Sequence, residues 1–488
     1  MKFLIAELYA SQPVVTFGNR QRPVGTLVFD PEGEYFWPDE NRRPGLCDVP
    51  HLRQQLALFT NRNAPNPHYG SWKVGDVRLD LRECPPAEVV KLCISEERQE
   101  HQNVIKIRTI SSQNWPALID LLQQREYNAT DADVRTATGI SNLSDVEWNA
   151  MRSNLIPIIR TVHDPNSALL RTVPRLLREG RIVVIDISLV SGRVGLQVAG
   201  MLLSRIFHNN QESFTDPERG GLIPVIAFLE EAQSVLGKSA KDGSPFVEWV
   251  KEGRKYSLGA ILVTQQPGSI APELLSQGDN FFAFHLLSAH DLKTLQFHNA
   301  HFSDDVLAHL LNEPIRGNAY FWSAPHQPFV LPARIRSFEQ MYGGEAADET
   351  RVGQTVDTGL AESMGEEEKM IARLAERARE MLLTGDVQLC ESDADSSSLY
   401  VYKPRLAAKV GEIMSEEERQ QHCGGDDKTF VCDGVLNRIV ASSGLTDGSP
   451  RRVRCRRESD GKEGEFYPLA RRALGEHVRT TGKVTILS

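Results

Sequence analysis

Five short stretches of the chain are apolar without alternation: VGTLVFD (24–30), RIVVIDIS (181–188), LIPVIAFLEE (222–231), LGAILVTQQP (258–267) and NFFAFHLLS (280–288). A strand that faces water on one side alternates, whereas a strand covered on both faces is apolar throughout. Runs of this kind therefore predict a parallel sheet with helices on both sides. Helical patterns separate the later runs. VGLQVAGMLLSRIF (194–207) precedes the third, and SPFVEWVKEGRKY (244–256) precedes the fourth, with Ser244 as N-cap and Pro245 at the first helical position. Strand–helix alternation with right-handed crossovers gives an α/β fold. The opening MKFLIAELYA predicts an amphipathic helix with Phe3, Leu4, Ile5 and Leu8 on one face and Glu7 outward.

Between the first two strands the pattern changes. WKVGDVRLDLR (72–82) alternates like an exposed strand pair. From Pro85 to Glu179 the periodicity is mostly helical, and Ser144 with Glu147 forms a capping box that opens one helix. Beyond residue 338 the chain turns acidic and rich in Gly, Ser and Thr, as in a linker. EEEKMIARLAERAREMLL (366–383) has helical spacing, and CESDADSSS (390–398) reads as a flexible joint. The expected organisation is a first core segment (1–84), a helical insertion (85–179), a second core segment (180–338), an acidic linker with a helix (339–397) and a small C-terminal domain (398–488).

At ~150 residues per domain, 488 residues make about three domains. The net charge of −10 excludes a protein that coats nucleic acid by bulk charge, so any such contact needs a local patch or an assembled ring. Seven cysteines without paired spacing point to a reducing, cytoplasmic compartment. No apolar run is long enough to span a membrane.

The chemistry concentrates at strand ends. IPVIAFLEEAQSVL (223–236) is an apolar strand ending in Glu230 and Glu231, the Walker B arrangement of nucleotide hydrolases. There the first acid holds Mg²⁺ directly or through its waters, and the second polarises the attacking water. The plain alternative is a strand running into an exposed acidic helix start. VFDPEGEYFW (28–37) also ends in acids, with Asp30, Glu32 and Glu34 around Gly33. KEGRKYSLGAILVTQQP (251–267) joins a basic pair to a strand ending in Thr264–Gln265–Gln266. In open α/β sheets, polar residues at the carboxyl ends of strands face the ligand crevice.

The order VFDPEGEY, RIVVIDIS, IAFLEEAQ, EGRKYSLGAILVTQQP, ELLSQGDNFFAFHL, DLKTL resembles the HerA/FtsK family of hexameric DNA-translocating ATPases, closest to its HerA branch, over roughly residues 1–338. The resemblance implies a RecA-like P-loop NTPase core, a homo-hexamer around double-stranded DNA, ATP and Mg²⁺ between neighbouring subunits, and a partner nuclease or defence effector. It implies Glu230 as metal ligand, Glu231 as catalytic base, and Thr264 and Gln265 as the polar sensor. Arg254 becomes the arginine finger, and Asp30, Glu34 and Lys255 line the nucleotide. Gln266 stands where the family usually has Arg. A cation pair satisfying a helix end is the plain reading of Arg254 and Lys255.

One family element is not in the sequence. A phosphate loop needs G-x-x-x-x-G-K-[ST], so that backbone N–H groups wrap the phosphates while Lys neutralises them. Gly237–Lys238–Ser239 lacks the first glycine and follows an acid-ended strand, so it is a decoy. MKFLIAELYA takes the place of the helix after that loop, which puts the loop and its strand before Met1, or makes the chain a fragment or a degenerate member. The N-terminal barrel of the HerA branch is not seen either. Such a strand is central in RecA-like sheets, so without it a gap of unpaired backbone is expected between two neighbours. A ring scaffold for a nuclease that does not hydrolyse ATP is the alternative function. Lys238 and Lys241 are candidate pore cations. RRVRCRR (451–457) is either a phosphate-backbone contact or a solvated strand edge. His422, Cys423, Cys432, Cys455 and His477 match no zinc spacing.

Overall fold

Gly25–Asp30 (β1) is buried at every position, as are Leu56–Thr60 (β2) and Ile182–Asp186 (β4). With Lys73–Gly75 (β3), Val225–Leu229 (β5) and Leu258–Leu262 (β6) they form a six-stranded sheet of order β3-β2-β4-β1-β5-β6. Every pair in it is parallel. The computed structural model describes all residues except 18–19, 40, 141–143, 191, 216–220, 241, 325–326, 347–355, 361–365, 425–429, 444, 447–451, 475–479 and 488.

Alternate residues of the central strands enter two different cores, which is why their apolar runs do not alternate. Leu27, Phe29, Ala57, Phe59, Val183 and Ile185 join one cluster. Val28, Leu56, Leu58, Ile182 and Val184 join the other, with Ile5 of helix α1 (Lys2–Leu8), Trp37 and Trp72. In α1, Ile5 and Ala6 are buried and Glu7 is exposed. The first core also takes in Pro86–Cys93 (α2), Trp115–Arg125 (α3), Asp145–Val162 (α4), Leu169–Arg178 (α5) and Gly192–Thr215 (α6). The helical insertion thus shares one continuous core with the sheet. Ser144 caps α4 with Glu147 in a full capping box. Ser244 precedes Pro245–Glu252 (α7) but makes no side-chain cap bond; Pro245 at the start supplies the preset φ.

Three expectations are corrected. The segment 72–82 is not a strand pair: β3 adds to the parallel sheet, and Leu79 only bridges to His163. The fifth apolar run is not a doubly covered strand. Asn280–Ala283 (β7) lies in a separate antiparallel sheet with Asn318–Ser323 (β8) and Gln327–Arg334 (β9), order β9-β8-β7. One face of that sheet packs on Ala289–His298 (α8) and Asp304–Asn312 (α9) through Ala283, Leu295 and Leu310. The other leaves Phe282 45% exposed, stacked on Phe321. The expected gap does not exist either, because each of the six strands is paired with its neighbour. Instead, among the described residues no strand pairs with the outer edge of β6 or of β7. Ala260, Ile261 and Leu262 of β6 are only half-buried, as befits a strand with one neighbour.

The chain divides into two units, residues 1–163 with 168–363, and 164–167 with 364–488. The second unit corrects the linker expected over 339–397. Glu366–Thr384 (α10) buries Met370, Leu374, Ala378 and Leu382 in that unit's core, against Lys403–Glu412 (α11) and Asp433–Ser442 (α12). The presumed joint is Leu389–Ser392 (β10), one strand of a closed barrel. Asp395–Tyr402 (β11), Val453–Arg457 (β12), Glu463–Ala470 (β13) and Thr480–Ile486 (β14) complete it, in the order β10-β11-β13-β12-β14. Cys390, Tyr400, Cys455, Phe466 and Val484, one from each strand, form a small cluster of their own.

Candidate active site at the carboxyl edge of the sheet

Register lines up the polar strand ends. Thr60 and Asp30 both lie abreast of Asp186, and Glu230 follows the β5 residue that pairs with Phe29. Thr60 Oγ1 donates to Asp186 Oδ2 at 2.7 Å, and Ser188 Oγ donates to Asp186 Oδ1 at 2.6 Å. Arg62 stands 3.8 Å from Asp186, donates to the Gly33 carbonyl and stacks over Trp37. Neither Thr60 nor Arg62 is singled out by the sequence, because the short run LALFT carries no motif.

Asp30 is 1% exposed and accepts the backbone N–H groups of Gly33, Glu34 and Tyr35 at 2.8, 3.3 and 2.9 Å. Both of its oxygens accept from the turn, so Asp30 organises this loop. Burial, opposed by the three N–H groups, pushes its carboxyl up to about 6, and Asp186 adds to the rise. Gly33 serves the same turn with φ of +71°. The turn delivers Tyr35, whose hydroxyl donates to Glu230 Oε1. Glu34 points outward, its side chain 63% exposed and 4.0 Å from Arg43.

Glu231 takes left-handed backbone with φ of +48°, uncommon outside glycine. That sharp turn brings Gln233 back, and its amide donates to Glu231 Oε2. Gln265 donates to Glu231 Oε1 at 3.4 Å, and Thr264 donates to Gln233 Oε1 at 2.6 Å. Glu230, Glu231, Thr264 and Gln265 are thus brought together, with Tyr35 and Gln233 as connections the motifs do not reveal. The only signal for them is position: one follows an acid-ended strand by five residues, the other by four.

Arg254 and Lys255 sit elsewhere. They lie on the short turn Gly253–Tyr256 before β6, at the opposite edge of the sheet. At ~3.3 Å per residue, the strand separates them from Thr264 by roughly 20 Å. Arg254 is 91% exposed and 3.7 Å from Asp279, while Lys255 lies over the rings of Phe214 and Tyr256. Neither can serve the acid pair of its own chain. Gly237–Lys238–Ser239 is pinned by a bridge from Gly237 to Ile270 and a bond from Lys238 N to the Ser269 carbonyl. It forms no phosphate cradle. Lys238 is exposed, and Lys241 lies outside the described residues.

Glu230 and Glu231 are half-buried at an open edge, each bonded by side chains that leave lone pairs over. Mg²⁺ in phosphate chemistry takes one or two carboxylates plus substrate oxygens and water, so this pair fits it. Among the described residues no three His, Cys, Asp or Glu side chains form a full metal cage. Nothing among them cradles phosphates.

In the second unit, the described arginines of RRVRCRR are answered by carboxylates: Arg452 by Asp433 and Glu465, Arg454 and Arg456 by Glu463, and Arg457 by Asp460. Arg451 and His477 lie outside the described residues. Among the described residues no helix is long and apolar enough to cross a membrane.

Residues 1–206 match the family described as the central domain of the helicase HerA. A probable helicase of Methanocaldococcus jannaschii is 23% identical over 335 residues, 65% of this chain and 58% of that protein. The DNA double-strand break repair helicase HerA of Sulfolobus acidocaldarius is 25% identical over 310 residues, 61% and 56% of the two chains. The chain thus spans a little over half the length of these curated relatives. Among solved structures, the bacterial conjugative coupling protein TrwBΔN70 matches 64% of this chain and 78% of its own, with 12% identity and a TM-score of 0.40. The genome packaging NTPase B204 of Sulfolobus turreted icosahedral virus 2 matches 35% and 73%, with 15% identity and a TM-score of 0.26. Over residues 1–206 the chain is thus similar to the HerA central domain, and its similarity to whole HerA helicases is distant.

Proposed function

We propose that this chain is a subunit of a HerA-like, ATP-driven DNA translocase that works as a ring on double-stranded DNA, with a nuclease or defence effector as partner. The observation that carries the reading is the network around Glu231, which joins the second acid of β5 to Thr264 and Gln265 at the end of β6 through Gln233. In it, Glu231 accepts the proton of the attacking water. Gln265 and Gln233 fix its carboxylate, and Thr264 links that carboxylate to the strand end that senses the phosphate. Tyr35 orients Glu230. Mg²⁺, held by Glu230, would neutralise the charge on the phosphates.

The phosphates themselves need a cradle, and the open edge of β6 is where a further parallel strand would carry one. Its carboxyl end would come out beside Thr264 and Glu231. Arg254, exposed at the far edge, acts on the nucleotide of a neighbouring copy. Arg suits that place, being always charged and able to hold two phosphate oxygens.

The test is Mg-ATP turnover with and without duplex DNA, for the wild type and Glu231→Gln. The amide keeps the shape but cannot take the proton, so a ~10²–10⁴-fold loss is expected with nucleotide binding retained. Equal turnover by the variant would remove Glu231 from the chemistry. A wild type that binds DNA as a ring without hydrolysis would replace the motor by the scaffold reading.

A further inference from the structure

A cavity of about 290 Å³ opens where the helical insertion meets the core, between the end of α2, the middle of α4 and the first turns of α6. Its lining is not that of a packing defect. Asn154 of α4 is 6% exposed, yet its Nδ2 is buried without a hydrogen-bond partner among the described residues. Buried amides in native proteins are almost always paired, and an orphan lining a cavity marks where an acceptor belongs. Pro157 lies inside α4 and has no N–H, so the carbonyl of Ser153, four residues earlier, loses its helical donor. Both residues line the cavity.

Charge sits at the rim. Arg98 and Arg193 also line the cavity, and Arg98 has no ion-pair partner among the described residues. Arg193 gives one N–H to the Cys93 carbonyl at 3.2 Å, which points its guanidinium along the cavity wall. The walls between rim and floor are apolar, formed by Ile94, Ile158 and Val194. Sites of this build, mostly apolar with a few converging polar groups, hold small molecules by body and orient them by the polar ends.

We infer that this cavity binds a small anionic molecule with an apolar body, its carbonyl accepting from Asn154 and its carboxylate or phosphate meeting Arg98 and Arg193. The volume admits a body about the size of one aromatic ring with short substituents, smaller than a nucleotide. The site is independent of the acid pair at the carboxyl edge of the sheet, and shares none of its residues.

Isothermal titration of the whole chain with 4-acetamidobenzoate, 4-acetamidophenyl phosphate and uncharged acetanilide tests this. At least one anion should bind saturably at one site per chain, with acetanilide about tenfold weaker or worse. The two anions distinguish a carboxylate from a phosphate ligand. Asn154→Leu, which keeps the volume but removes the donor, should weaken the anion about tenfold, and so should Arg98→Gln with Arg193→Gln. The rim pair is exposed, so that variant decides the matter if Asn154→Leu does not fold. No saturable binding of either anion up to about 10 mM, or binding that survives the rim substitutions, overturns the inference.

Discussion

Asp30→Asn isolates the one buried carboxylate that builds the active-site loop. Asp30 has its carboxyl pushed from 3.8 to about 6, mainly by burial. The native state therefore holds a proton more tightly than the unfolded chain does. As pH rises through about 4 to 6 the unfolded state loses that proton first, so stability falls over this window and levels off above it. Two pH units correspond to about 3 kcal/mol, the cost of keeping Asp30 ionised in the folded protein at neutral pH. Asn carries no charge and so lacks this slope, while its NH₂ forfeits one acceptor at every pH. The difference in unfolding free energy, variant minus wild type, should thus rise by about 3 kcal/mol between pH 4 and pH 7. Urea titrations at four pH values, followed by the fluorescence of Trp37 and Trp72 in the adjoining core, measure it. A difference that stays flat with pH, or that falls, refutes the assignment of Asp30 as a desolvated loop organiser.

Tyr35→Phe should lower ATP turnover without unfolding the protein, because only the hydroxyl on Glu230 is lost; one hydrogen bond to a charged group is worth about 1.5–3 kcal/mol, and an unchanged Mg²⁺ dependence of turnover would refute the contact. Mixing Arg254→Ala with Glu231→Gln subunits should recover part of the hydrolysis that each lacks alone, since Arg254 lies an edge away from its own acid pair; no recovery at any ratio would exclude action across subunits. Leu374→Ala should destabilise the second unit by about 2–5 kcal/mol and leave nucleotide turnover in the first unit intact, as read by urea melts and ATPase assays. A loss confined to the first unit would mean that α10 does not belong to the second unit's core.

Much of the site is legible in order and spacing. The acid pair ends an apolar run, and Thr264–Gln265 ends the next one, so both had to reach the same edge of a parallel sheet. That follows because parallel strands share a direction and a common carboxyl end. The false phosphate loop is legible for a similar reason: Gly237–Lys238–Ser239 has no strand of its own to leave from. Asp30 is harder. As a residue type at a strand end it looks like a ligand, and only the three N–H groups that converge on it show a structural task.

The sequence by itself determined the fold class and the shared strand edge of Glu230, Glu231, Thr264 and Gln265, because hydrophobic periodicity and strand direction are local properties of the chain. Tertiary structure decided what locality cannot carry. Tyr35 reaches Glu230 across 195 positions, and Arg62 reaches Asp186 from a strand end far earlier in the chain. The run 280–288 is as apolar as the others, yet β7 turns to an antiparallel sheet, since a strand's partners are chosen by what lies beside it. The helix over 366–384 is legible from its spacing, but that it packs into the second unit's core is not, because burial is settled by the face it finds to cover. The orphaned Asn154 amide is likewise invisible in sequence: whether a polar group is paired depends on every atom around it, and those come from several separate segments.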